Sequence, residues 1–150
     1  MQNIIEKGKH ILTCVEDIRF ERWGDELDGL YIVLDGKEYL AYRDPDDGYR
    51  SYGVFEEVGD IKILTKIINK FPPQEVYFTE TREKIREQIA PYVDELTRDL
   101  VKSEFRNENG ELILGVYTDY ADDYYPVGYV EYHPENLPEN KETTTWYATI

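Results

Sequence analysis

The stretch GLYIVLDGKEYLAY, residues 29–42, decides the fold of the chain around it. Two apolar runs, GLYIVL at 29–34 and KEYLAY at 37–42, flank Asp35-Gly36. Asp-Gly between such runs is the strongest short-range hairpin signal, because a type I′ turn needs φ > 0 at both central residues. The sequence therefore predicts a β-hairpin with Gly36 in the left-handed backbone region.

Strand patterns continue on both sides of this hairpin. Residues 12–23 carry apolar groups two or four positions apart, which is typical of a strand with one face in water. A turn at 44–48 leads to another strand at 49–56, and Asn109-Gly110 forms a second hairpin-type turn. The remaining predicted strands are 75–79, 111–117, 127–132 and 143–150.

Two further segments predict helices. Asp60 is placed to cap a helix over 61–70 that ends at Pro72-Pro73. A longer helix begins at Thr79 or Thr81 and continues to residue 100, with Pro91 either kinking it or starting a second helix. The first helix would carry Ile61, Leu64, Ile67, Ile68 and Phe71 opposite Lys62, Lys66 and Lys70, and the second would carry Ile85, Ile89, Val93, Leu96 and Leu100.

The order of these elements predicts the fold class. Strands, a helix, a strand, a helix and strands indicate an α+β domain, with a mainly antiparallel sheet and two to three helices packed on one face. No segment is long enough to be an interdomain linker, so residues 1–150 form a single acidic domain.

The charge pattern narrows the type of partner. The chain has 32 Asp and Glu against 17 Lys and Arg, a formal net charge of −15, together with 14 tyrosines. Such a surface repels phosphate backbones and attracts basic proteins. We therefore expect a basic or nucleic-acid-binding protein as partner and no direct binding to DNA or RNA. Acidity that serves only solubility is the alternative.

The number of cysteines and the length of the apolar segments indicate the cellular compartment. Cys14 is the only cysteine, so no intrachain disulfide and no CxxC motif can form. Its predicted strand lacks a nearby helix N-terminus or a cluster of bases, which favours a buried structural thiol over a nucleophile. No signal-peptide pattern or membrane-length apolar run occurs, which predicts a cytoplasmic protein without membrane contact.

Two acidic loops share a pattern. Residues 35–56 and 109–131 each contain an x-Gly turn, a strand, Tyr-x-Asp, an Asp-Asp pair, a Tyr and a Gly before a strand that ends in Glu. Internal duplication and repeated use of turn-forming residues both explain the match. The candidate partner-binding residues in these loops are Asp44, Asp46, Asp47, Tyr49, Asp119, Asp122, Asp123, Tyr124 and Tyr125.

The same loops raise the question of metal binding and catalysis. Asp44, Asp46 and Asp47 resemble the start of a calcium loop, but Phe55 stands where the bidentate Glu would be. His10 and His133 are far apart in sequence and are not predicted zinc ligands. No nucleotide-binding or hydrolase motif occurs, so no catalytic residue, metal or cofactor is assigned. A divalent-metal-binding protein or metal-dependent enzyme stays an alternative.

The segment from Lys37 to Ser51, which contains DPDDGYRS, resembles small uncharacterised acidic proteins encoded by phages and prophages. The resemblance covers residues 29–57 and implies a mobile-element origin, but no activity. The resulting hypothesis is a non-enzymatic protein-binding module, a phage-encoded inhibitor that mimics phosphates on the nucleic-acid-binding surface of a host or defence protein. An immunity protein that neutralises a basic nuclease toxin is the alternative within this class.

Overall fold

The structure, a computed structural model, describes residues 4–42, 54–87, 96–119, 127–138 and 146–149. Most residues in these ranges belong to antiparallel strands, and the only helix among them is a single 3-10 turn, Pro134–Asn136. The strands are β1 (Gly8–Arg22), β2 (Asp25–Leu34), β3 (Lys37–Tyr42), β4 (Val54–Glu57), β5 (Lys62–Ile63), β6 (Lys70–Glu87), β7 (Leu96–Asn107), β8 (Leu112–Asp119), β9 (Val127–Tyr132) and β10 (Trp146–Thr149).

All ten strands belong to one sheet. Its order is β10-β9-β8-β7-β6-β1-β2-β3-β4, and β5 pairs with the C-terminal end of β1. The chain thus forms two meanders, β1 to β4 and β6 to β10, which meet where β1 pairs with β6. Strands that follow each other along the chain pair with each other within each meander, as short connections favour.

The predicted hairpin is confirmed. Asp35 and Gly36 have φ values of 54° and 78°, so both central residues of the β2–β3 turn are left-handed, as a type I′ turn requires. The main-chain N–H of Ile11 donates to Asp35 Oδ1 at 2.8 Å, and the N–H of Asp35 donates to the carbonyl of Ile11 at 2.8 Å. The turn is therefore fastened to the neighbouring strand β1.

The helix predicted over residues 61–70 is wrong. This segment is extended: it contains β5 and reaches the start of β6, and odd-numbered residues are half-buried while even-numbered ones are exposed. Ile61, Ile63 and Ile67 pack against the sheet, whereas Ile68 is 61% exposed. The three lysines lie four residues apart, a spacing that fits a strand as well as a helix. The β-branched isoleucines favour the strand.

The longer predicted helix is also wrong. Residues that were expected to start it belong to β6, which pairs with β7 from Val76↔Asn107 to Glu87↔Leu96. Within β7, Leu96 and Leu100 lie four residues apart, a spacing that fits a strand as well as a helix, and pairing with β6 satisfies the backbone hydrogen bonds. Ile89, Pro91 and Val93 lie outside the described residues. The described part of the chain is therefore an antiparallel β structure rather than an α+β domain.

The sheet curls so that its two meanders share one core. The ring centroid of Phe55 in β4 lies 5.6 Å from that of Phe105 in β7 and 6.2 Å from that of Phe78 in β6, and both pairs pack edge to face. Four strands separate β4 from β7 in the sheet order. Contact between them requires a strongly coiled sheet whose inner face closes on itself, as accumulated strand twist allows.

A second apolar cluster lies on the opposite face of β1, β2 and β3. We call it the outer cluster; the extended segment after β4 covers it through half-buried isoleucines. Its buried members are Cys14, Ile18, Phe20, Tyr31, Leu40, Tyr42 and Val58. Within the described ranges, no helix has the length and apolar character needed to cross a bilayer.

Candidate functional site at the β1–β2 turn

A cavity of about 500 Å³ opens at the tip of the β1–β2 hairpin, and we call it the hairpin-tip pocket. Residues 21–23 line one side, and residues 56–62 line the other. Val58 and Ile61 line the pocket and also pack in the outer cluster, so the pocket rests on an apolar floor. The main-chain N–H of Val58 donates to the carbonyl of Glu38 at 3.2 Å, which ties this wall to β3.

Trp23 occupies an unfavourable backbone position in the turn between β1 and β2. Its φ is 53° and that of Gly24 is 82°, so this is a second hairpin turn with two left-handed residues. The left-handed region is uncommon for a bulky residue and costs about 1 kcal/mol or more. Trp23 is nevertheless 60% exposed, so burial of its side chain offsets that cost only in part. Strained residues of this kind concentrate at functional sites.

Arg22 connects the turn to β3 and β4. Its guanidinium lies 4.2 Å from the ring centroid of Trp23 and 5.5 Å from that of Tyr42. Its Nη1 donates to the hydroxyl of Tyr42 and to Glu56 Oε2, and the Tyr42 hydroxyl donates to the same Glu56 oxygen at 3.1 Å. The ring of Tyr42 is buried edge to face against Phe20 at 5.1 Å. The rings of Trp23 and Tyr42 and the carboxylate of Glu56 therefore hold the guanidinium in place.

The pocket carries an excess of negative charge. Four carboxylates line it against two cations, Arg22 and Lys62. Glu21 lies opposite Glu26 in the β1–β2 ladder and opposite Lys62 in β5, and Glu26 also pairs with Arg19. Glu57 and Asp60 are exposed, and neither forms an ion pair with another described residue. Glu57 and Asp60 are thus available to an external cation, whereas Glu56 binds Arg22 and Glu21 lies opposite Lys62.

The residues predicted from the acidic loops lie almost entirely outside the described residues. Segments 43–53 and 120–126 contain all of them except Asp119, which ends β8 and pairs with Leu100 and Val127. Tyr42 and Val54, the residues on either side of segment 43–53, pair with each other, and Tyr42 also bonds to Arg22. In sheet order, β3–β4 and β8–β9 lie toward opposite ends. The partner-binding role of the loop residues stays a prediction.

Sequence reasoning missed Arg22, Trp23 and Glu56. Residues 12–23 were assigned to a strand without a turn after it, although Trp23-Gly24 stands between two apolar runs. Glycine at the second turn position is a usable signal, because Asp35-Gly36 and Asn109-Gly110 in the described part of the chain are also x-Gly turns. The pairing of Arg22 with Glu56 had no sequence signal, since 34 residues separate them.

The cysteine and the histidines take structural positions. Cys14 is buried, as predicted, and desolvation by burial, with the charge of Glu16, raises the pKa of its thiol to about 12. His10 Nδ1 bonds to Asp35 Oδ2 at 2.6 Å. His133 bridges Glu131 at 2.7 Å and Glu135 at 2.9 Å. Partial burial lowers the pKa of each imidazole, but these bonds and the nearby carboxylates outweigh it, and the net shift is upward.

A second cavity, of about 420 Å³, lies between the start of β6, the β7–β8 turn and the 3-10 helix. Carboxylates and side-chain amides line it, including Glu75, Glu108, Glu111 and Glu135. Among the residues that the structure describes, no three or more His, Cys, Asp or Glu side chains converge as a metal-binding group.

Comparison of the chain with models of known protein families, with curated proteins and with solved structures finds no match.

Proposed function

We propose that this chain is a non-enzymatic acidic protein-binding module that acts as a phage-encoded inhibitor, with carboxylates that mimic phosphates on the nucleic-acid-binding surface of a host or defence protein. The observation that carries the proposal is Trp23, a 60% exposed indole in left-handed backbone. Asn at this position would suit a type I′ turn far better. Contact with a partner would explain why a residue so unfavourable in this turn stays largely exposed.

Tryptophan is also the residue type most typical of interface hot spots, where a central aromatic anchor is surrounded by a polar rim. Glu57 and Asp60 provide such a rim next to Trp23. Together with the net charge of −15, they would steer the chain toward a basic surface and repel nucleic acid.

Displacement of DNA from purified core histones tests the proposal. We expect the chain to release a fluorescent DNA duplex at near-stoichiometric concentration and to bind no DNA itself. Polyglutamate of the same net charge is the control for acidity without a fold. Equal displacement by both would refute a specific site, and a salt-dependent gel shift of DNA by the chain alone would refute phosphate mimicry.

The variant Trp23→Asn separates contact from folding. Because Asn-Gly is a preferred type I′ pair, its gain in the turn should offset the lost contact of the indole with the Arg22 guanidinium, and we expect a free energy of unfolding within about 1 kcal/mol of the wild type. Displacement of DNA should weaken about tenfold or more, since anchor residues contribute roughly 2 kcal/mol. The matched control is Ile68→Ala, which removes another exposed apolar side chain, 61% exposed, away from the pocket.

The loop carboxylates need their own test. Reversal of Asp122 and Asp123 to Lys should abolish displacement if they contact the partner, while reversal of Glu83 and Glu87 on β6 changes net charge equally at another place. Equal losses at all salt concentrations would remove the loop residues from the proposal. An immunity protein against a basic nuclease toxin would use the same surface, and the neighbouring gene would then encode that nuclease.

A further inference from the structure

We infer that the hairpin-tip pocket receives an arginine side chain of the partner protein, with its guanidinium stacked on the exposed surface of Trp23 and bonded to the carboxylates of Glu57 and Asp60. The inference rests on the proposed function and names the group that this site recognises.

The chain's own Arg22 shows the chemistry that the site offers. A guanidinium already lies 4.2 Å from the Trp23 ring centroid and bonds to a carboxylate, so indole and carboxylate together suit a planar cation. Arg22 uses Glu56 for this contact and leaves the indole 60% exposed. A second guanidinium can therefore stack on the exposed part of the Trp23 ring, next to the Arg22 guanidinium, whose charge Glu56 already neutralises.

The charge and size of the pocket favour a cationic occupant. Its carboxylates outnumber its cations by four to two, and Glu57 and Asp60 have no ion-pair partner among the described residues. A cavity of about 500 Å³ lies within the range of binding sites for small groups. Its apolar floor, which includes Val58 and Ile61, suits the methylene part of a long side chain.

Arginine fits these features better than lysine. A guanidinium is planar, stacks on aromatic rings and is more weakly hydrated than an ammonium, so it loses less on leaving water. It also bonds to two carboxylates in a fixed geometry, whereas an ammonium acts as a point charge. Basic surfaces that bind nucleic acid are rich in arginine, which agrees with the proposed partner class.

The test follows the indole N–H signal of Trp23 by NMR as tripeptides are added. The chain has two tryptophans, so a Trp146→Phe background assigns the signal. The probes are glycyl-arginyl-glycine, its lysine counterpart and its citrulline counterpart, which has the shape of arginine without the charge. We expect saturable shifts with the arginine peptide, about fivefold weaker affinity for the lysine peptide, and no saturation with citrulline.

Variants locate the binding. Glu57→Gln with Asp60→Asn should reduce affinity for the arginine peptide about fivefold or more, because both charge-assisted bonds are lost. Glu80→Gln with Glu108→Gln removes the same charge from exposed positions outside the pocket and should leave affinity within about twofold. Equal losses in the two double variants, or equal affinity for arginine and lysine, would overturn the inference.

The probes also distinguish a protein side chain from a small-molecule ligand. Agmatine carries the guanidinium without a peptide backbone, and clearly tighter binding of agmatine than of the tripeptide would assign the pocket to a free metabolite instead. The inference and the proposed function can fail separately. Displacement of DNA without a shift of the Trp23 signal removes the arginine pocket, whereas a specific shift without displacement removes the inhibitor function.

Discussion

The guanidinium of Arg22 lies 4.2 Å from the ring centroid of Trp23, the next residue in the chain, and binds Glu56 from another strand. Side chains of adjacent strand residues normally point to opposite faces. The left-handed backbone at Trp23 breaks that alternation and turns the indole back toward Arg22. The strained turn is therefore what brings the aromatic ring and the cation together at the edge of the pocket.

Arg22→Ala should lower the free energy of unfolding by about 1.5–3 kcal/mol, because the buried Tyr42 hydroxyl and the Glu56 carboxylate lose a charged donor. Denaturant titration measures this change. Arg19→Ala is the matched control, since the Arg19 side chain is exposed and pairs with Glu26 and Asp28 at the surface. We expect a loss within about 1 kcal/mol for the control. Similar losses in the two variants would contradict the role of Arg22 as an anchor.

Gly36→Val should destabilise the fold by about 1–3 kcal/mol through backbone strain alone. A Cβ at this position would meet no heavy atom within 4 Å, but φ is 78°, a backbone conformation in which an L side chain is strained. Denaturant titration again gives the value. A change within experimental error would mean that the turn adopts another conformation in solution.

Phe55→Ala and Phe105→Ala should each cost about 3–5 kcal/mol, because both rings are buried in the shared core. The double variant should lose less free energy of unfolding than the sum of the two single losses, since the ring centroids lie 5.6 Å apart. Tyr77→Ala provides a control on the exposed side of β6, where the ring is 45% exposed. Strict additivity would show that β4 does not pack on β7, and the curled sheet would be wrong.

The stability that His10 and His133 contribute should fall as the pH rises from their ordinary pKa of 6.5 through the raised values. The pKa values of His10 and His133 lie above their ordinary value of 6.5 in the folded chain. Their protonated forms therefore favour folding below the unfolded pKa, and this contribution is lost as the pH rises through the raised values. The melting temperature of the double variant His10→Gln with His133→Gln should depend less on pH across this range than that of the wild type. An unchanged slope would exclude these residues as its cause.

Asp35 contributes in the opposite direction at acid pH. Burial alone would raise the pKa of its carboxyl, but the hydrogen bonds from the Ile11 N–H and from His10 lower it overall. The stabilisation that Asp35 provides is therefore present above its ordinary pKa of 3.8 and is lost as the pH falls through the lowered value. The variant Asp35→Asn keeps a residue that tolerates left-handed backbone, and its stability should fall less than that of the wild type as the pH is lowered.

The β2–β3 hairpin could be predicted from the sequence because a type I′ turn constrains two adjacent residues, Asp35 and Gly36, and leaves a local signal. The segments at 61–70 and 79–100 could not, because residues four apart, such as Lys62 and Lys66 or Leu96 and Leu100, satisfy both the helix and the strand period. Pairing of β6 with β7 and of β5 with β1 decided between the two periods. That decision depends on partners distant in the chain.

The sequence by itself determined the acidity, the single buried thiol and the strongest turn, since each depends on residue type or on neighbouring residues. Only the tertiary structure decided the hairpin-tip pocket. Arg22, Tyr42 and Glu56 meet there because β1, β3 and β4 converge at one end of a curled sheet. Their side chains find one another through strand register and sheet twist, and neither property is encoded in any short stretch of sequence.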